Sequence, residues 1–162
     1  MMDAKQVIEH LKLEPLTVEG GYFKETYRSA EILAGRERCI GTSIYYLLKT
    51  GELSRWHRVK SDEIWMYHLG APAIQLLLLA DGSWEKRVIG GDLAAGHVPQ
   101  SIIPAGTWQA AILDPGATVN WGLFGAVVFP GFEYADFEEG TGKELMRLYP
   151  EAAKAMTELG LD

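Results

Sequence analysis

The sequence predicts an all-β protein, a sandwich or barrel with short helices at its two ends. Three observations carry this. From Thr17 to about Phe137, short strand-like runs recur, separated by turn residues. No helical pattern separates them, which argues against alternating βαβ units. The chain has 162 residues, 48% hydrophobic and 23% charged, which fits a single globular domain over 1–162.

The elements follow in order. A helix over about 3–13 starts at Asp3 as N-cap, carries Ala4, Val7, Ile8 and Leu11 on one face, and stops before Pro15. The β region, about 17–137, contains runs at 22–27, 42–48, 56–59, 63–69, 74–79, 84–89, 101–103, 107–113, 118–121 and 124–129. Asp81-Gly82 signals a two-residue hairpin, and Gly-Pro-Asp clusters such as Asp114-Pro115-Gly116 punctuate the rest. A C-terminal helical segment, about 141–160, opens on Thr141-Gly-Lys-Glu144, a capping-box pattern. Its apolar stripe is Leu145, Leu148, Tyr149, Ala152, Met156 and Leu159, with Pro150 breaking it in two and Gly160 ending it.

Composition excludes several function classes. Lys plus Arg is 15 and Asp plus Glu is 22, a net charge of −7, so a nucleic acid is not expected as partner. The most apolar stretch, 74–80, is too short to cross a bilayer, and no basic-then-apolar segment opens the chain, so neither a membrane span nor a signal peptide is expected. The single cysteine, Cys39, fits a reducing compartment, and a cytoplasmic location follows as the expectation. Cys39 itself reads as a buried inert thiol. There is no Gly-x-Gly-x-x-Gly, P-loop, Cys-x-x-Cys or Gly-x-Ser-x-Gly pattern. Five Trp and seven Tyr point to a large core, an aromatic-lined pocket or an interface.

The most informative spacing lies mid-chain. Gly51 is followed by five residues and His57, then Val59, Glu63 and Gly70; further on stands Pro104-Ala-Gly106-Thr-Trp-Gln109. This resembles the two motifs of the cupin superfamily, with Val59 in place of the second histidine of His-x-His and Gln109 in place of the second-motif histidine. The segments 19–29, 44–48, 56–58, 61–65, 104–110 and 130–137 together resemble one single-domain branch of RmlC-like cupins, called cupin family five. The resemblance covers roughly 19–149. It implies a double-stranded β-helix, the cupin jelly-roll barrel, and a homodimer, for which 20–29 is the candidate interface. Thr17-Val18 and Gly96-His97 depart from that branch's usual residues.

In cupins the matching His, His, Glu and His positions converge on a transition metal. Here the resemblance therefore implies a divalent transition metal held, with an incomplete set, by His57, Glu63 and Gln109. Period-2 geometry places His57 with Val59, Glu63 with Trp65 and Tyr67, and Gln109 with Ala111 on common faces. A metal-free reading uses the same residues. His57 and Glu63 form an acid–base couple, Tyr67 is a second proton donor, and Tyr46, Trp65 and Trp108 form a stacking wall around a small polar organic ligand whose amide contact is Gln109. RmlC-type epimerases work in this way on sugar nucleotides, so an isomerase or epimerase is the enzymatic alternative to a binding module. The competing structural readings are a buried His57 satisfied by Glu63, Glu63 paired with Arg55 or Arg58, a cross-sheet bond at Gln109, tryptophans that only fill the core, and solvated His10 and His97.

Overall fold

The computed structural model describes residues 2–35 and 37–162; Met1 and Arg36, both inside the expected domain, lie outside the described residues. Among the described residues a helix α1 (Ala4–Leu11) leads into eleven strands: β1 (Glu14–Pro15), β2 (Tyr22–Arg28), β3 (Thr42–Lys49), β4 (Leu53–Arg58), β5 (Asp62–Gly70), β6 (Ala73–Leu78), β7 (Trp84–Ile89), β8 (Gln100–Ile103), β9 (Trp108–Leu113), β10 (Trp121–Phe129) and β11 (Glu138–Glu139). Helices α2 (Gly142–Leu148) and α3 (Ala153–Glu158) close the chain. The strands form two antiparallel sheets, ordered β1-β2-β3-β10-β5-β8 and β11-β4-β9-β6-β7. They face each other as the jelly roll that the resemblance implies.

Alternation along each strand divides the apolar residues among three clusters. Tyr46, Trp65, Leu77, Ile103 and Phe124 point between the sheets and fill the depth of the barrel. Trp56, Leu76 and Trp108, on the outer face of the five-stranded sheet, pack with Leu145 of α2 and Met156 of α3. Val7, Leu13, Leu47, Trp121 and Leu123 seat α1 on the outer face of the other sheet. Two tryptophans also tie down the termini by hydrogen bonds. Trp56 Nε1 donates to Leu161 O at 2.7 Å, and Trp121 Nε1 donates to Met2 O at 3.1 Å. An indole buried with its N–H bonded satisfies both its apolar ring and its polar atom.

Several local expectations change. The run at 118–121 is not a strand of its own; β10 passes through Gly122, whose missing side chain lets Ala71 O and the Phe124 ring approach closely. The capping box forms at Asp3 and Gln6, whereas the Thr141 side chain caps nothing. The hairpin after β6 has a three-residue loop closed by Leu79 N donating to Ser83 O, with Gly82 at φ +88°. Strands β1 and β11 are two residues each, too short to show any periodicity. Pro150 does divide the C-terminal helix, but Leu148 points to solvent.

Candidate functional site

A cavity of about 170 Å³ opens at one end of the barrel, above the aromatic plug. Its walls are largely apolar: Val18, Phe23, Ile44, Val59, Val128 and Phe137. Its polar floor is His57, Glu19 and Glu63, and its mouth carries Glu25, Arg28 and Glu133.

A bulge in β4 aims His57 inward. Ser54 pairs with Ala111 and His57 with Gln109, so two residues of β4, Arg55 and Trp56, oppose the single residue Ala110. Without that extra residue, Ser54 and His57 would fall on opposite faces; with it, both are buried on the interior side. The imidazole is 3% exposed and stacks on Phe137, with ring centroids 5.3 Å apart. Its Nδ1 lies 2.7 Å from Arg55 O. A carbonyl only accepts, so Nδ1 carries the proton and the lone pair of a neutral ring sits on Nε2, facing the cavity.

The carboxylate beside Nε2 is Glu19, not the expected Glu63. Glu19 Oε2 is 3.8 Å from His57 Nε2, while Oε1 accepts from Ser54 Oγ at 2.7 Å. Glu19 is held by a turn built on two glycines. Gly20 and Gly21 have φ of +107° and +69°, Gly20 N donates to Leu16 O, and Arg55 N donates to Glu19 O at 2.8 Å. The signal available in the sequence was the Glu-Gly-Gly run directly before β2.

Glu63 sits deeper and is spoken for. Trp65 Nε1 donates to Oε1 at 2.9 Å and Gln109 Nε2 donates to Oε2 at 2.6 Å. These bonds begin a chain across the barrel: Gln75 Nε2 donates to Gln109 Oε1, Ser101 Oγ to Gln75 Oε1, and Arg87 Nη1 to Ser101 Oγ. A guanidinium only donates and a carboxylate only accepts, so the two ends fix the orientation of both amides. Burial pushes the Glu63 carboxyl above its ordinary value; His57 opposes this, Glu19 adds to it, and the Gln109 and Trp65 bonds oppose it. Gln75 and Ser101 were not candidates. Their signal was weak: one glutamine within an otherwise apolar strand, and one serine.

The remaining expectations resolve as follows. Neither Arg55 nor Arg58 pairs with Glu63: Arg58 forms a two-pronged bond with Glu138 at 2.8 and 2.9 Å, and Arg55 donates to Thr17 O. Trp108 is not part of a ligand wall. It neighbours Gln109 along β9, so it projects from the opposite face, under α2 and α3, with Arg58 over its ring. Tyr67 faces the barrel interior but donates to Gly70 O at 2.7 Å and is not among the cavity-lining residues. Tyr46 is fully buried; its hydroxyl donates to Gly20 O at 3.0 Å, and burial, with Glu19 nearby, raises its pKa well above the ordinary value. Trp65 packs against Tyr46 and braces Glu63. His97 is half-buried against Pro72 and Gly90, with Nδ1 unbonded among the described residues, and His68 lies on the outer sheet face beside Tyr45.

The residues do not fit the transition-metal set that the resemblance implied. Val59 offers no donor atom, the Gln109 oxygen accepts from Gln75, and its nitrogen is turned to Glu63. Both Glu63 oxygens already accept hydrogen bonds, and among the described residues no group of three or more His, Cys, Asp or Glu is arranged to hold a metal ion.

Comparison with known proteins agrees with the fold. Residues 5–139 match the family described as Cupin_5, Cupin superfamily (DUF985). The chain is 31% identical over 133 residues to the uncharacterized protein YML079W of Saccharomyces cerevisiae, a match spanning 73% of this chain and 66% of that protein, just under two thirds of its length. A hypothetical protein from Leishmania major superposes with a TM-score of 0.87 at 29% identity, and protein SO0799 from Shewanella oneidensis with 0.87 at 33%, each over 98% of both chains. The oxalate decarboxylase of Bacillus subtilis, whose Mn(II) centres have been studied, shares the fold at a TM-score of 0.56 and 16% identity, over 92% of this chain and 38% of that one. The chain belongs to the Cupin_5 (DUF985) family of the cupin superfamily.

Proposed function

We propose that this cupin binds a small organic molecule in the barrel cavity, its polar group against His57 and Glu19 and its body against the apolar walls. The observation that carries the reading is the His57 ring: 3% exposed, anchored through Nδ1, and with no hydrogen bond to Nε2 among the described residues. The open Nε2 lone pair gives a bound molecule an acceptor at the cavity floor. The rest of the lining supports this, because a cavity of about 150 Å³ suffices for benzene and this one is about 170 Å³.

The test is a fragment screen by thermal shift, repeated on Val59→Phe. Val59 is 6% exposed and lines the cavity, so the added ring occupies the proposed volume. Compounds at about 100 times Kd raise the stability of the wild-type protein by about 2.7 kcal/mol and leave a folded Val59→Phe protein unshifted. Equal shifts in both proteins would place binding elsewhere and defeat the reading.

An isomerase or epimerase is the second reading, favoured by the Glu19–His57 pair. His57 Nε2 would take a proton from a carbon next to a carbonyl, the electron pair moving onto the carbonyl oxygen, with Glu19 stabilising the resulting imidazolium. Its mark is solvent deuterium appearing in the bound molecule, lost in His57→Gln while binding persists.

A further inference from the structure

We infer that the cavity selects a compact organic cation, a ring-sized apolar body bearing a primary ammonium group, and rejects anions such as carboxylates and sugar nucleotides. This rests on the small-molecule reading above and names the class of molecule.

Charge is the first argument. The lining holds Glu19, Glu25, Glu63 and Glu133 against one guanidinium, Arg28, and one imidazole, His57. The lining stays net negative even with His57 protonated and Glu63 neutral, since three carboxylates then face two cations. Arg28 cannot serve as an anion receptor as it stands. It is bound at 2.9 Å to both Glu25 and Glu133, and these two carboxylates hold its pKa above the ordinary value. Glu19, at 12% side-chain exposure, is screened least, whereas Glu25 and Glu133 at the mouth are 40% and 46% exposed and act on an entering anion more weakly.

Hydrogen-bond polarity is the second argument, and it is independent of the net charge. His57, Glu19 and Glu63 present acceptors at the floor; among the other lining groups, Thr42, whose Oγ1 accepts from Phe132 N at 3.0 Å, and Tyr134 carry hydroxyls. His57 has its N–H turned to Arg55 O and its Nε2 lone pair turned to the cavity. Glu19 keeps Oε2 beside it at 3.8 Å. Glu63 has lone pairs left after Trp65 and Gln109 have bonded, and the N–H groups directed at it are already used on it. The polar chain from Arg87 runs with all its donors toward Glu63, so no reorientation of one amide can present a donor to the cavity without breaking the chain. A ligand carboxylate or phosphate would set acceptors against acceptors. An ammonium supplies three donors to Glu19, His57 and Glu63, and its charge strengthens each bond.

The walls argue for an organic cation over a bare metal ion. Phe23, Val59, Val128, Phe132 and Phe137 surround the space above the floor, and the Phe23, Phe132 and Phe137 rings present faces or edges to a cation's hydrocarbon body.

Calorimetric titration with three probes of matched shape tests the inference: benzylamine, benzyl alcohol and benzoate, at pH 7 with EDTA present. Benzylamine should bind at least roughly tenfold tighter than benzyl alcohol, and benzoate should not bind up to about 10 mM. In Glu19→Gln the preference for benzylamine over benzyl alcohol should shrink about tenfold, with benzyl alcohol affinity held within about twofold. The wild-type comparison alone decides the matter if that variant does not fold. Equal affinity for amine and alcohol, tighter binding of benzoate, or binding that appears only on replacing EDTA by manganese chloride would overturn the charge inference and leave cavity binding standing. Binding of none of the three, beside screen hits abolished by Val59→Phe, would overturn it in the same way; no cavity hits at all would defeat both readings.

Discussion

Glu63 shows how a single buried carboxylate shapes the site. Its side chain lies between the sheets at 7% exposure, where an ionised carboxylate is unfavourable unless bonded. Trp65 and Gln109 supply one donor to each oxygen, and such bonds to a charged group contribute about 1.5–3 kcal/mol each. Burial still prevails, and the carboxyl stays above its ordinary value of 4.5. The consequence for stability has a definite sign. Below 4.5 both states are protonated; as pH rises past 4.5 the unfolded chain ionises while the native carboxyl keeps its proton. Native stability therefore falls with pH until the raised native pKa is reached. Glu63→Gln should remove that fall. The Tm of the variant minus that of the wild-type protein should climb as pH rises from about 4.5 to the raised native pKa and level off above it, by about 2–4 °C per kcal/mol of linkage. Parallel Tm curves would mean that Glu63 is not desolvated as its surroundings imply. Tyr67 and Trp108 give the contrasting lesson: an aromatic of the right type near the motif does nothing at a cavity that it does not face.

Two elements build the floor, and each does so through an irregularity. The bulge at Arg55 and Trp56 flips the parity of β4 so that Ser54 and His57 both face inward. The turn at Gly20 and Gly21 then brings Glu19 between them. Gly20 is in the left-handed region at φ +107°, and Leu53 O stands where its Cβ would be. Gly82, in the hairpin after β6, has a similar φ of +88° with open space around it. Gly82→Ala should therefore cost only the backbone penalty, about 1–2 kcal/mol, whereas Gly20→Ala adds an overlap of roughly 1–3 kcal/mol and displaces Glu19. Urea denaturation of both variants checks this. Equal losses would show that the close approach of β4 to the turn does not hold Glu19 in place.

At the scale of the whole molecule, the two sheets have separate tasks on their two faces. The outer faces accept the terminal helices through Trp56 and Trp121, and the inner faces divide into an aromatic plug and the cavity above it. The metal positions of the superfamily fall at that boundary, occupied here by His57, Val59, Glu63 and Gln109. Protein purified without a metal-affinity tag and incubated with iron, manganese, nickel or zinc should retain well under about 0.1 equivalent of metal by mass spectrometry, because imidazole and carboxylate donors govern such affinity and two of the four positions here hold Val59, with no donor, and Gln109, a bonded amide. Close to one equivalent, lost in Glu63→Ala, would overturn this. The sequence by itself determined the all-β class, most of the strand succession and the helices at both ends, and its resemblance to the cupin motifs singled out His57, Glu63 and Gln109. Periodicity and turn chemistry are local, so they can be read from consecutive residues. Which carboxylate meets His57, which aromatics face the cavity, and how Gln75, Ser101 and Arg87 orient Gln109 were decided only by the tertiary structure. Each depends on a one-residue bulge or on side chains brought from five different strands, and a parity shift or a cross-sheet hydrogen bond leaves no period in the chain.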